Sequence, residues 1–450
     1  MTNLLFIRKT IIFLNCNKFI SKCILSFFIL HFLIYNYKVD GTNENETTNN
    51  GLFLNNFSQL SKNNNESVLI NIPPSNITNL TNNDQDSVYG QIATLENNVY
   101  VVWQESIDEK LTKKNYDIYF MKSEDNGVTF DTPINISNNT GFSEHPQIAV
   151  SQNGIFIVWA DNTKSINTEI MFTKSEDNGT TFSKFINLSN NFKNSNNVEI
   201  SAFDENVYVV WQDIDDDQNN DKNSSIMFKS SVDSGNTFND TIELATNTND
   251  AYPKVNSYQA YVYIVWNSEN NDDLSKDNKN SGLFFIKSSD KGNTFENSVR
   301  IVNNNFGESQ ISVSKDEVLI GWGGLHSKNI NDVYFVKSYD NGTSFTNPYT
   351  IQVTKSEKKI NHPTNVEIAN DNTPYIVWQD IISKENQDIF IANIKNNFQS
   401  TKIVNLSNNT GISECPQIAV SNNHIYVVWE DITPGNHEIL FTKGTIQQSK

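Results

Sequence analysis

A nine-residue segment, KSEDNGVTF at 122–130, recurs along this chain and constrains its fold more than any other feature. Each copy has Ser, Asp, Gly, Thr or Ser, and Phe at the same relative positions, and successive copies are 50 to 57 residues apart. The aspartates of the five copies are Asp125, Asp177, Asp233, Asp290 and Asp340. A fixed period of that size is typical of propellers and solenoids, in which each repeat is one supersecondary unit. The chain is therefore predicted to be a repeat protein.

Tryptophan marks a second repeat position. All seven tryptophans end apolar runs such as VYVVW and IFIVW, at spacings of 51 to 56 residues. Short runs of β-branched and aromatic residues predict strands that are buried on both faces. Each run is itself a predicted strand, with another strand before it, one after it and one after the aspartate motif. Four antiparallel strands per repeat make the blade of a propeller. The tryptophans are predicted to pack between blades, and they are Trp103, Trp159, Trp211, Trp266, Trp322, Trp378 and Trp429.

The two ends of the repeat array complement each other. The last repeat stops one strand short, after EILFTKG, whereas residues 79–83 match residues 405–409 without a gap. The strand near residues 75–83 is therefore predicted to be the outermost strand of the last blade, which removes exposed sheet edges. The predicted fold class is all-β: a seven-bladed β-propeller of four-stranded antiparallel blades over residues 68–450, closed by that N-terminal strand.

The N-terminal residues 1–40 are predicted to direct export. Basic residues at 8, 9, 18 and 22 precede the apolar run CILSFFILHFLIY at 23–35, an order typical of a secretory signal peptide or of an uncleaved signal anchor. The Asn-rich residues 41–67 are predicted to be a flexible linker. The propeller is therefore expected to be secreted or at the cell surface, with a membrane contact only through the N-terminal segment.

The charge of the chain limits its partners. The net charge is −19, and residues 41–450 carry 28 basic and 51 acidic side chains. Such an excess of negative charge repels phosphate backbones, so we expect no nucleic-acid partner. Residues 41–450 contain one cysteine, Cys415, so no internal disulfide framework is expected there. A monomer is the expected state.

The repeated motif SxDxGxT followed by an aromatic residue resembles the Asp box, or bacterial neuraminidase repeat, of sialidases and other propeller proteins, with Phe in place of the usual Trp. Gly suits a turn that needs a positive φ, and the Asp carboxylate can accept nearby backbone N–H groups, so the motif is interpreted as structural. Asp boxes also occur in sortilin-like receptors, xyloglucan-cleaving hydrolases and a plant photosystem assembly factor. The resemblance therefore implies a fold and leaves the activity open.

The resemblance to sialidases does not extend to their substrate-binding arginines. Those enzymes hold the substrate carboxylate with three arginines, whose planar forks lysine cannot replace. This chain contains only Arg8, in the export segment, and Arg300. An arginine triad cannot form, so sialidase activity is not expected and no catalytic residue is assigned. The sequence favours a binding protein over an enzyme, and calcium is the one cofactor for which it offers a candidate site.

Positions that vary between repeats are the candidates for binding an asymmetric ligand. Fourteen residues before each tryptophan, at the predicted mouth of the innermost strand, stand varied polar and aromatic residues; a two-residue insertion shifts the sixth. This mouth ring is predicted to bind a glycan or an envelope protein, and an ordinary solvated loop is the alternative. Its members are Tyr89, His145, Asn197, Tyr252, Glu308, His362 and Cys415.

Acidic residues follow five of the tryptophans by two positions. Their repetition favours local turn hydrogen bonds, whereas carboxylates that face a channel could also serve a glycoside hydrolase, which is the alternative function. They are Glu105, Asp161, Asp213, Asp380 and Asp431.

The acidic loop DIDDDQNND of the third repeat is a candidate calcium site. Alternating carboxylates suit a hard cation, but Gln218 replaces the Gly expected at the sharp turn of a calcium loop. A solvated acidic loop is the alternative. The candidate ligands are Asp213, Asp215, Asp217 and Asp221.

Overall fold

The computed structural model describes most of the repeat region. The predicted export segment, 1–40, and the predicted linker, 41–67, lie outside the described residues. Among the described residues, no helix is long and apolar enough to cross a membrane. The described ranges are 69–72, 76–107, 115–163, 167–215, 223–248, 251–268, 281–303, 308–327, 330–351, 365–368, 374–383, 385–394 and 403–447.

The described strands form seven antiparallel sheets, and each sheet is one blade. The strands of blades 1 to 3 are β3 (Ser87–Leu95), β4 (Asn98–Ser106), β5 (Tyr116–Ser123) and β6 (Ile134–Asn135); β7 (Ser143–Ser151), β8 (Gly154–Asp161), β9 (Glu169–Ser175) and β10 (Ile186–Asn187); β11 (Asn194–Phe203), β12 (Asn206–Asp215), β13 (Asn223–Ser231) and β14 (Ile242–Thr246).

The remaining blades follow the same order, and the last one includes two strands from the start of the described chain. The strands of blades 4 to 7 are β15 (Lys254–Tyr258), β16 (Tyr261–Ser268), β17 (Gly282–Ser288) and β18 (Val299–Val302); β19 (Ser309–Ser314), β20 (Glu317–Ser327), β21 (Ile330–Ser338) and β22 (Tyr349–Ile351); β23 (Asn365–Ile368), β24 (Pro374–Ser383), β25 (Asn386–Asn393) and β26 (Val404–Asn405); β27 (Ser413–Ser421), β28 (His424–Asp431) and β29 (Glu438–Gln447), with β1 (Leu69–Asn71) and β2 (Thr78–Asn79).

The predicted seven-bladed β-propeller is confirmed. The first strand of each blade contacts the first strand of the next, and β27 of blade 7 contacts β3 of blade 1, so the ring closes. Strand β2 pairs with β29, Thr78 lying opposite Phe441, so an N-terminal strand does complete the last blade. A further strand that the sequence did not predict, β1, pairs with the C-terminal end of β29, Leu69 lying opposite Gln447.

The residues after β2 join blade 7 to blade 1 in the way that other blades are joined. Asn83 Nδ2 donates to Glu105 Oε2 of blade 1 at 3.0 Å. Asn409, its counterpart in the sequence match, donates to Asp431 Oδ2 of blade 7 at 2.7 Å. The N-terminal segment therefore reproduces the polar contact of an ordinary blade connection at the closing point of the ring.

The core is divided among the interfaces between blades. Side chains of a strand alternate between its two faces, and the second strand of each blade is apolar on both. In blade 1, Val101 and Trp103 belong to one core cluster with Val428 of blade 7, whereas Val102 belongs to another with Ile157 of blade 2. The seven tryptophans are at most 4% exposed. The unbroken apolar runs of the sequence thus result from a strand that lies between two blade interfaces.

Each aspartate motif forms a tight turn between the third and fourth strands of its blade, here called an aspartate turn. In blade 1, Asp125 accepts the Ser123 hydroxyl at 2.8 Å, and both the backbone N–H and the hydroxyl of Thr129, at 2.9 and 2.7 Å. Gly127 has φ of +73°, and a Cβ there would lie 2.6 Å from the Phe441 ring of blade 7. The turn therefore packs against the preceding blade. Glycine is required at position 127 because the φ is positive and because a side chain would collide with the Phe441 ring.

The aspartate turns lie at the end of the propeller away from the mouth ring. The Asn126 N–H donates to the Asn97 carbonyl at 2.8 Å, in the hairpin between the first and second strands. The ring residue Tyr89 lies at the other end of the first strand, β3. Five aspartate turns thus occupy one face, and the candidate binding ring occupies the opposite one.

Candidate functional site at the channel mouth

Four members of the mouth ring lie at β-bulges. The register of the first and second strands shifts there, and the ring residues adopt left-handed backbone conformations, with φ between 52° and 56°. A bulge of this kind bends the strand and re-aims one side chain. These residues, all of them half-buried, are Tyr89, His145, Asn197 and Cys415.

The bulges of three blades are fixed by the residue that follows the tryptophan of the preceding blade. Its side-chain oxygen accepts the backbone N–H of the bulge residue. The bonds run from His145 to Gln104 at 2.8 Å, from Cys415 to Gln379 at 2.7 Å and from Tyr89 to Glu430 at 2.6 Å. Because a positive φ is costly for residues other than glycine, this bond between blades helps to hold the ring geometry. The sequence interpretation did not use this position.

The mouth ring contains one direct aromatic contact. The Tyr89 and His145 rings pack edge to face, with centroids 4.4 Å apart and an angle of 73° between the planes. Burial lowers the pKa of His145 to about 4, so the imidazole is neutral near pH 7. The junction of blades 1 and 2 thus presents an uncharged aromatic pair at the channel mouth.

The other ring positions differ from this pair. Asn197 donates its side-chain amide to Gln212 Oε1 at 2.8 Å and to the Ala251 carbonyl at 3.2 Å. Tyr252 and Glu308 are half-buried just before the first strands of blades 4 and 5. The predicted member His362 lies outside the described residues. The described ring is therefore polar and aromatic, and its members differ from blade to blade.

A second row of residues lines the same strands two positions further on, and the sequence interpretation missed it. Among the described residues of this row, which are half-buried, four are glutamine and two form an ion pair between blades 3 and 4, Glu199 with Lys254, each 16% exposed. Burial raises the pKa of Glu199. The repetition of Gln two residues after the ring position is the sequence feature that would have found the row: Gln91, Gln147, Gln310 and Gln417.

The acidic residues after the tryptophans are tied into the scaffold. Trp103, Trp159, Trp211 and Trp429 each donate the indole N–H to the carboxylate two residues on, at 2.7 to 3.2 Å. A serine at the start of the first strand donates to the same carboxylate at 2.7 to 3.1 Å. The carboxylates of Glu105, Asp161, Asp213 and Asp431, like that of Asp380, belong to side chains at most 8% exposed. The carboxylates of Glu105, Asp161, Asp213 and Asp431 join the first two strands of their blades beneath the channel mouth.

The candidate calcium loop is described only in part. Asp217 and Asp221 lie outside the described residues. Asp213 is buried and accepts hydrogen bonds from Ser195, Trp211 and Asn191, and burial raises its pKa. Asp215 is exposed, with its carboxylate 3.6 Å from Lys193 Nζ. Calcium binding here stays a prediction.

A cluster of three residues at the junction of blades 7 and 1 offers a different donor set. Glu414, Glu430 and His437 each place one potential ligand atom within 4.8 Å of the others. The sequence interpretation named none of them, although Glu430 stands where Gln104, Gln212 and Gln379 stand in other repeats. We call this group the seam cluster.

Comparisons with known proteins add similar structures at low identity. No family model and no curated protein matches the sequence. A protein of unknown function from Dyadobacter fermentans matches 84% of this chain and 99% of its own, with 13% identity and a TM-score of 0.48. The sialidase of Trypanosoma rangeli matches 85% of this chain and 60% of its own, with 11% identity and a TM-score of 0.49. A variant of the NanB sialidase from Streptococcus pneumoniae matches 84% and 71%, with 11% identity and a TM-score of 0.46.

Proposed function

We propose that this chain is an exported, non-catalytic β-propeller that recognises an uncharged glycan of the cell envelope at its channel mouth. The observation that carries the proposal is the set of bulges, each of which presents a different half-buried side chain to one opening of the ring. Positions that vary between otherwise similar blades suit a ligand that lacks the symmetry of the propeller.

The chemistry of the mouth favours a sugar without charge. Aromatic side chains such as Tyr89, His145 and Tyr252 combine an apolar face with a polar handle. The glutamines below them supply both donors and acceptors, which match sugar hydroxyl groups. Lys254, on the same wall, is already paired with Glu199, so the described part of this wall offers little positive charge for an acidic sugar.

The burial of the repeated carboxylates argues against the alternative glycoside hydrolase. A hydrolase needs a carboxylic acid and a carboxylate that reach the glycosidic bond. Asp161 and Asp213 are 5% and 3% exposed, and both bind a tryptophan N–H and a serine hydroxyl. These bonds account for the recurrence of the acids without any role in catalysis.

A glycan array and a hydrolysis panel, both run with the full chain, test the proposal. We expect capture of a neutral glycan without release of sugar. His145→Ala and Tyr252→Ala should each weaken that capture about tenfold, which corresponds to about 1.4 kcal/mol. The matched control is Tyr339→Ala, since Tyr339 is an exposed tyrosine beside the aspartate turn of blade 5, on the opposite face.

Three results would overturn the proposal. One is glycan capture that neither mouth variant weakens. The second is sugar release that Asp161→Asn abolishes, which would establish the hydrolase instead. The third is capture of an envelope protein with no glycan bound, which would move recognition to a protein partner.

A further inference from the structure

The seam cluster contains a glutamate where a glutamine would serve the fold. Gln104 and Gln379 accept the bulge N–H of the next blade at 2.8 and 2.7 Å, and Glu430 accepts that of Tyr89 at 2.6 Å. A glutamine oxygen makes this bond without placing a charge in the interior. The carboxylate of Glu430 therefore requires a second explanation.

The second oxygen of Glu430 is buried without a hydrogen bond. The residue is 0% exposed, and Oε2 has no hydrogen-bond partner in the structure. His437 Nδ1, 3.9 Å away, has none either. A buried ionised group is strongly unfavourable unless it is paired or binds a metal. The site thus combines an orphaned carboxylate oxygen with an orphaned imidazole nitrogen.

The groups around Glu430 add negative charge or a soft donor. The potential ligand atoms of Glu414 and Glu430 lie within 4.8 Å of each other, and Asp86 of the segment before blade 1 adds a further negative charge nearby. The Cys415 thiol lies near the same carboxylate. Two carboxylates that face each other in a buried site are short of positive charge, and a cation would supply it.

We propose that Glu414, Glu430 and His437 bind one divalent transition-metal cation, for which zinc is the probe. One imidazole nitrogen and two carboxylates form a donor set that zinc accepts, whereas calcium and magnesium prefer oxygen ligands alone. Ligand atoms about 2.0–2.2 Å from one tetrahedral ion lie roughly 3.4 Å apart. The 3.9 Å between Glu430 Oε2 and His437 Nδ1 is close enough for small side-chain rotations to reach that geometry.

The position of the cluster gives the metal a structural consequence. Glu430 is held by the Tyr89 N–H of blade 1, and the His437 carbonyl accepts the Ser87 N–H at 2.8 Å. All three ligands belong to blade 7, so a bound ion would rigidify the groups to which blade 1 is attached. His437 is 24% exposed and Glu414 is half-buried, which leaves an approach for the ion and a fourth position for water.

Calorimetric titration of the full chain with zinc chloride at pH 7.5, after dialysis against a chelator, tests the proposal. We expect one zinc ion per chain at the seam cluster, and weakening of that binding by at least about 100-fold in Glu430→Gln and in His437→Asn. Glu430→Gln is expected to fold, because glutamine occupies this position in three other blades. The matched control is Glu144→Gln, the position of blade 2 that corresponds to Glu414, which should bind zinc like the unchanged chain.

A spectroscopic readout separates a built site from general binding. Cobalt in place of zinc should give visible absorption bands of a four-coordinate centre, and these should be absent from both ligand variants. Zinc binding that neither variant weakens, or no stoichiometric binding by a folded unchanged chain, would overturn the proposal. Selective calcium binding that Glu430→Gln abolishes would overturn the assignment to a transition metal.

Discussion

Blades 2 and 7 share the same polar scaffold. In blade 2, Asp161 accepts hydrogen bonds from Asn139, Ser143 and Trp159 at 2.8 to 3.1 Å. In blade 7, Asp431 accepts the corresponding three bonds at 2.7 to 3.2 Å, from Asn409, Ser413 and Trp429. Because the same three hydrogen bonds occur in both blades, we interpret these carboxylates as part of the structural framework of the blade.

The two blades differ at the residue after the tryptophan and in the loop that follows. Blade 2 has Ala160 and Thr168 where blade 7 has Glu430 and His437, whereas Glu144 and Glu414 correspond. Within the described residues of these two blades, three metal-ligating groups meet in blade 7 and not in blade 2. The comparison teaches that in this propeller the acidic residues shared by the blades build the fold, and the unshared ones are the candidates for chemistry.

The strongest test of the shared scaffold is removal of the core tryptophan from each blade. Trp159 and Trp429 are both 0% exposed, so Trp159→Ala and Trp429→Ala should each lower the free energy of unfolding by about 3–5 kcal/mol. Urea unfolding followed by circular dichroism measures both losses, with Phe192→Ala as the exposed control. Losses that differ by more than about 2 kcal/mol would break the equivalence of the two blades.

The next largest effect is expected from the shared carboxylates. Asp161→Asn and Asp431→Asn place an amide NH₂ among indole, hydroxyl and amide donors, so each should cost about 1–3 kcal/mol of unfolding free energy. The same urea experiment applies, and the exposed Asp131→Asn is its control. If either change left stability intact, the scaffold role of these carboxylates would be wrong.

The sequence predicted the parts of the molecule that obey the repeat. The tryptophan spacing gave the number of blades, and the match of residues 79–83 with 405–409 gave the closing strand, because a period reports what every blade must do. Strand β1 was missed because it adds to β29 outside the repeat, and its three residues carry no pattern of their own.

The candidate sites were harder to derive from the sequence. The bulge at Tyr89 depends on a hydrogen bond that its backbone N–H donates to Glu430, which is 341 positions away in the sequence. Sequence reasoning concentrated on Asp431 because acids recur there, and it passed over Glu430 inside the same VVWED run. The sequence alone shows that Glu430 replaces a glutamine found in other repeats. Its burial and its proximity to His437 can be seen only in the folded structure.

The residue after the tryptophan is charged in blade 7, Glu430, and uncharged in blade 6, Gln379. Exchanging glutamate and glutamine between these two positions tests what the charge does. In chelated, metal-free protein, Glu430→Gln keeps the acceptor for Tyr89 and removes a buried carboxylate, so it should raise the unfolding free energy by about 1 kcal/mol. Gln379→Glu places a carboxylate in the matching bond to Cys415 and should lower it by a similar amount. Differential scanning calorimetry with chelator measures both. A loss of stability in Glu430→Gln would contradict the idea that this charge is uncompensated without metal.

The smallest expected effect concerns an element of blade 2 that has no counterpart among the described residues of blade 7, the aspartate turn. The Thr181 hydroxyl and backbone N–H hold the pKa of Asp177 at about 2, below its ordinary 3.8. A lowered pKa in the folded state adds stability that is full above pH 4 and is lost as the pH falls toward 2. The melting-temperature gap between the unchanged chain and Asp177→Asn should therefore narrow from pH 5 to pH 2, slightly, because the carboxylate is exposed. Thr181→Val removes the largest cause of the shift and should move that narrowing to higher pH. A gap that stays constant would mean that the turn is held by its glycine and its packing on Phe120, with no net contribution from the charge.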